Sequence, residues 1–195
     1  MNQISFVILI ILSAFSMNLT LQCALGIKGA AESKNPGHFS NFIRLGIIFF
    51  SVILLWAFFS KIISLIFSGP FVYVLLFPVS YMVYEALEYL FFYQILNKRP
   101  ASEYSISFPG GITTAAVFIC LNLADNLTQA VLLSFGFSAG VCLVLVITGE
   151  IRRRAALEAV PVFLRGKPIV LISMGMLSLV FSVSALLIFR MIGAK

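Results

Sequence analysis

The sequence predicts an all-α integral membrane protein with six transmembrane segments, built as two inverted three-helix repeats whose first and fourth helices are interrupted. Three observations carry this. Of 195 residues, 61% are hydrophobic and only 10% charged, too little polar surface for a soluble domain of this length to cover itself. Several uninterrupted apolar runs reach the roughly 20 helical residues needed to cross about 30 Å of hydrocarbon. Two further apolar segments, at matching places in the two halves, are short and broken, and broken helices at membrane depth are tolerated only where protein or a cavity surrounds them. No short-period alternation of the kind closed barrels require dominates the chain.

The first segment covers about Ile4 to Leu25, and its interrupted end reads Leu19-Thr20-Leu21-Gln22-Cys23-Ala24-Leu25-Gly26-Ile27-Lys28. The second and third run about Phe42 to Ser60 and Phe71 to Phe92. The fourth, short and irregular, covers about Gly111 to Ala124 and opens with Pro109-Gly110-Gly111. The fifth and sixth run about Leu127 to Thr148 and Ile169 to Ile192. Together they make one membrane domain over residues 1–195, with the first repeat in 1–100 and the second in 101–195.

Six spans place the connections after segments one, three and five on one side. Those connections hold Lys28, Lys34, Arg44, Lys98, Arg99, Arg152, Arg153, Arg154, Arg165 and Lys167, ten of the thirteen basic residues. Cytoplasmic connections carry the excess of Lys and Arg, which puts both termini outside the cytoplasm. The net charge of +6 is therefore a topology signal, and a nucleic-acid partner is not expected. An odd number of spans per half inserts a duplicated half upside down, giving the inverted repeat.

Leu19 to Cys23 loosely resembles a lipoprotein cleavage site, but Gln22 stands where a small residue is needed and no Lys or Arg precedes the apolar run. Asn18-Leu19-Thr20 and Asn126-Leu127-Thr128 match the glycosylation triplet, which arises readily by chance. Three cysteines in apolar stretches, Cys23, Cys120 and Cys142, give no disulfide framework.

The second half carries a more specific pattern: Phe135-Gly136-Phe137-Ser138-Ala139-Gly140, then Leu143 to Val146, Glu150-Ile151-Arg152-Arg153-Arg154, Glu158 to Pro161, Phe163, Arg165-Gly166, Ile169 and Ile172 to Phe181. This resembles the six-helix membrane subunits of the Rnf and sodium-pumping NADH:quinone oxidoreductase (Nqr) complexes, above all the Rnf A and Nqr E subunits. Asn18 with Leu25-Gly26, and Pro109 with Ile112-Thr113-Thr114, resemble the family's two interrupted helices.

The resemblance implies a location in the bacterial inner (cytoplasmic) membrane, a homologous membrane partner of opposite topology, and other Rnf/Nqr-like subunits. Such complexes couple electron flow to sodium or proton movement. It also implies a [2Fe-2S] cluster shared with the partner and held by two cysteines from each of the two proteins. At the matching positions this chain has Lys28 and Ala116. Neither is a thiolate, so no metal and no cofactor are expected. Cys23 and Cys120 lie about one turn from those positions: they are either ligands of a shifted cluster or small buried packing residues.

Glu85 and Glu88, three apart on the third span, share a helix face. Intramembrane carboxylates are functional candidates, so they read as part of an ion path with Thr113 and Thr114, or as interfacial groups paired with Lys98 or Arg99. The triple arginine reads as a topology determinant or a docking site for a cytoplasmic partner or acidic lipid. Gly136, Ala139 and Gly140 allow close helix contact. His38, the single histidine, reads as a solvated loop residue. The reading that joins these features is a scaffold and ion-path subunit of an Rnf/Nqr-like ion-translocating electron-transport complex, non-catalytic itself. The alternative is a small secondary transporter or assembly protein with the same inverted-repeat fold, in which Thr113, Thr114 and Lys28 would contact the substrate.

Overall fold

A computed structural model describes residues 8–23, 25, 39–66, 71–95, 108–157, 161, 164 and 167–193. Among these the chain is helical and contains no strand. A short helical stretch over residues 8–11 passes into a π-helical turn, Leu12–Ser16. Then follow α1 (Phe39–Ile66), α2 (Phe71–Ile95), α3 (Phe108–Leu123), α4 (Leu127–Leu157) and α5 (Lys167–Gly193).

These segments are helical because Leu, Ile, Val, Phe and Ala dominate them, and because in hydrocarbon only a helix or closed barrel satisfies every backbone N–H and C=O. Ile43–Ile62 in α1, Val74–Tyr93 in α2 and Leu127–Ala155 in α4 are long and apolar enough to cross a membrane. The 16 residues of α3 span only about 24 Å, less than the hydrocarbon core.

Several boundaries differ from those the sequence suggests. In the first segment the break falls at Met17 and Asn18, earlier than expected. Met17 N–H donates to Leu12 O at 3.1 Å, an i→i−5 bond that widens the helix just before it stops. Among the described residues the fourth segment shows no interruption at Pro109-Gly110-Gly111: α3 is continuous from Phe108 to Leu123. Proline in the first turn costs no hydrogen bond, since the first N–H groups of a helix have no partner there, and Gly110 and Gly111 follow at the same weak end. α4 continues to Leu157, so Arg152, Arg153 and Arg154 ride on the helix, and Glu150 pairs with Arg154 at 3.2 Å and Arg153 at 3.9 Å. Arg44 lies inside α1 and not in a connection. Lys28, Lys34, His38, Lys98, Arg99 and Arg165 lie outside the described residues.

α1 and α4 sit at the centre. α1 packs against α2, α3 and α4, while α4 packs against α1, α3, α5 and the π-helical turn. α2 also meets α3, and the π-helical turn also meets α5. The core between them includes Ile47, Val52 and Leu55 of α1, Ile112, Ala116 and Val117 of α3, and Leu133, Phe137, Val141 and Val144 of α4. Phe15 closes one side by stacking on Phe181 with ring centroids 5.0 Å apart.

Candidate functional site

The first short segment is organised by one buried side chain. Asn18, 1% exposed, donates from Nδ2 to Ala14 O at 3.1 Å and to Gly140 O at 3.0 Å. Its Oδ1 accepts from the backbone N–H groups of Thr20 and Leu21, both at 3.2 Å. The acceptor pattern is that of an N-cap: it closes the turns that follow the break, supported by Gln22 N–H to Asn18 O at 2.8 Å and Leu25 N–H to Leu19 O at 3.1 Å. The donor pattern ties the break to α4. With its amide so used, Asn18 offers no glycosylation acceptor.

Close approach of α4 depends on two glycines. A side-chain carbon at Gly136 would fall 1.7 Å from Ser13 Oγ and 2.9 Å from Ile10 O. One at Gly140 would fall 2.7 Å from Ala14 O and 3.0 Å from Asn18 Nδ2. Gly136 and Gly140 thus give the close contact their composition suggests, against the first segment.

The second short segment, α3, meets the first at its beginning. A side-chain carbon at Gly111 would contact Leu25 Cδ2 at 3.9 Å, so the end of the described first segment adjoins the first turn of α3. Thr113 is fully buried. The Thr114 hydroxyl bonds that of Ser80 on α2, two residues beyond Pro78, which sits within that helix. Ala116 is 0% exposed. One turn on, Cys120 is buried beside Ser134 of α4, with Sγ to Oγ at 3.9 Å. Cys23 is exposed and Cys142 partly buried against the core. Shared burial as packing residues therefore describes Cys120 but not Cys23.

The two carboxylates of α2 separate. Glu88 turns inward and pairs with Arg44 of α1, with Arg44 Nε to Glu88 Oε1 at 3.0 Å and side chains 12% and 17% exposed. The same guanidinium stands 5.7 Å from the Phe92 ring centroid. Arg44 is thus the partner of Glu88 among the described residues; Lys98 and Arg99, the partners expected, lie outside them. Glu85 is exposed and accepts from the Tyr81 hydroxyl. Changing Glu88 to Ala leaves a partly buried guanidinium without its carboxylate and should destabilise the fold by about 2 kcal/mol. Arg44→Met combined with Glu88→Leu should recover most of that loss. A double-mutant cycle on thermal unfolding measures the coupling.

No family model matches the chain. Among curated proteins, the A subunit of the ion-translocating oxidoreductase complex of Histophilus somni (strain 2336) is 44% identical over 61 residues, 31% of this chain and 32% of that protein. The A subunit from Pasteurella multocida (strain Pm70) is 37% identical over 94 residues, 45% of this chain and 49% of that protein. These matches span a third to a half of the relatives' lengths. The A subunit from Buchnera aphidicola subsp. Baizongia pistaciae (strain Bp) is 31% identical over 146 residues, covering 71% of this chain and 75% of that protein. The chain belongs to this family of A subunits. As a family member with helices of this length and apolarity, it is a membrane protein.

At the two positions where the Rnf/Nqr resemblance implies cluster thiolates, the residues present do not fit that group. Position 116 carries a methyl group, buried in the core with no donor atom. Position 28 carries lysine, whose ammonium form has no lone pair for iron. The sequence alone does not reveal Asn18 as organiser of the break, Ser80 and Ser134 as neighbours of Thr114 and Cys120, or Arg44 as a structural cation. A lone asparagine in an apolar run is the available signal for the first.

Proposed function

We propose that this chain is a membrane subunit of an Rnf-type ion-translocating electron-transport complex that keeps the scaffold of the family site and has lost cluster ligation. The observation that carries this reading is the fully buried methyl of Ala116, at the position where the resemblance calls for a thiolate. Membership of the family supports assembly with other complex subunits, among them a homologous membrane partner of opposite topology.

Apart from the contact of α3 with α4, which among the described residues has no counterpart between the π-helical turn and α1, the packing pattern supports an inverted repeat. Let the first segment, α1 and α2 exchange places with α3, α4 and α5. The contact of α1 with α3 then becomes that of α4 with the π-helical turn, α2 with α3 becomes α5 with the π-helical turn, and α1 with α2 becomes α4 with α5. The contact of α1 with α4 maps onto itself, as a pseudo-two-fold axis requires. In this reading both termini lie outside the cytoplasm of a bacterial inner membrane. Thr113 and Thr114 contribute to the ion path at α3, and Glu88 holds α1 to α2 through Arg44.

Isolation of the tagged chain from its native membranes tests the assignment. The expected result is co-isolation of flavin- and iron–sulfur-carrying subunits. A chain that purifies alone and supports substrate-dependent uptake in vesicles would contradict it and favour a small secondary transporter.

A further inference from the structure

The outward face of α2 carries a group that lipid cannot satisfy. Of the three candidate spans, that of α2 is the least covered by the rest of the chain, 17% buried against 39% and 50%. Within α2 (Phe71–Ile95), Glu85 stands about 3 Å past the midpoint and about 15 Å from the nearer end, at the helical rise per residue. Its side chain is too short to reach an interface that far away, as a long lysine or arginine can. A carboxylate facing hydrocarbon at this depth is strongly disfavoured. The Tyr81 hydroxyl supplies one hydrogen bond but no countercharge, and among the described residues no cation pairs with Glu85. Around it, Met82 is 72% exposed, and the exposed rings of Tyr89 and Tyr93 stack with centroids 5.6 Å apart. Methionine and tyrosine are enriched in protein interfaces.

We propose that this face of α2, centred on Glu85, docks a transmembrane helix of another protein of the same complex, one that presents a lysine or arginine to Glu85 at mid-depth. A second copy of this chain does not suit the surface. A two-fold self-contact places the same patch on both sides, setting Glu85 against Glu85, and like charges repel strongly in a low-dielectric layer. The proposal rests on the reading of the chain as part of a complex.

The test uses the full complex in native membranes, with Met82→Cys and, on the exposed face of α5, Leu187→Cys as the lipid-facing comparison. The expected result is that, in a Cys23→Ser background, a maleimide–benzophenone reagent bonded through its maleimide to the Met82→Cys thiol inserts on illumination into a C–H bond of a different protein of the complex, while Leu187→Cys reacts with a lipid-soluble monofunctional maleimide. Glu85→Lys should lower the yield of the cross-linked pair by tenfold or more, and Glu85→Gln should lower it less. Because the cross-link is read with Glu85 intact, misfolding of the charge variants does not mask the answer. An intact complex in which Met82→Cys reacts only with the lipid-soluble probe, or links to another copy of this chain, overturns the docking proposal while leaving the complex reading standing. Failure of the wild-type chain to bring down any partner overturns that reading itself.

Discussion

Gly140→Ala is expected to lower the thermal unfolding midpoint by an amount equivalent to about 1–3 kcal/mol, and Gly140→Val to prevent accumulation of the folded chain. The new carbon would sit 2.7 Å from Ala14 O, 3.0 Å from Asn18 Nδ2 and 3.2 Å from Ala14 Cα. Two of these are backbone atoms of the first segment, which cannot turn aside as the end of a flexible side chain can. Relief requires the whole π-helical turn to move away from α4, and close-packed interiors resist such shifts. Gly175 of α5 supplies the comparison, since nothing lies within 4 Å of a side-chain carbon built there. Gly175→Ala should be neutral or slightly stabilising, because alanine is the better helix former. Equal midpoints for the two alanine variants would rule out the close approach of α4 to the first segment.

Asn18→Ala is expected to cost about 3 kcal/mol or more, since it strands two buried backbone N–H groups at once. The amide N–H groups of Thr20 and Leu21 lose their acceptor, and the carbonyl of Gly140, within α4, loses the side-chain donor it has beside its helical one. Hydrogen exchange gives the more specific readout: the amides of Thr20 and Leu21 should exchange faster, while those in the centre of α1 keep their protection. Asn18→Asp keeps the acceptor but removes both donations and buries a charge, so it should not rescue the fold.

These two residues also mark how far the sequence can be read. The helices and their order are readable because apolar runs of this length have few structural alternatives in a membrane. The break at Asn18 is not, because its position depends on a hydrogen bond to Gly140, a residue 122 positions away. Likewise Pro109, Gly110 and Gly111 suggest an interrupted α3 because they weaken a helix. They fall in its first turn, where that weakness matters least. Arg44 reads as one of a set of topology-determining cations, and only its fold neighbours make it the partner of Glu88. At the candidate site it is the resemblance to the Rnf/Nqr subunits that marks position 116 as one where a thiolate is implied, and the burial of Ala116 follows from the apolar stretch around it.

Retention of the family site's architecture without its iron can be decided by electron paramagnetic resonance of the complex isolated with its native partners, comparing the unaltered chain with Cys23→Ser and Cys120→Ser. The predicted result is a spectrum whose iron–sulfur signals are the same in all three preparations. An iron–sulfur signal that disappears with either substitution, in a complex that is otherwise fully assembled, would contradict it.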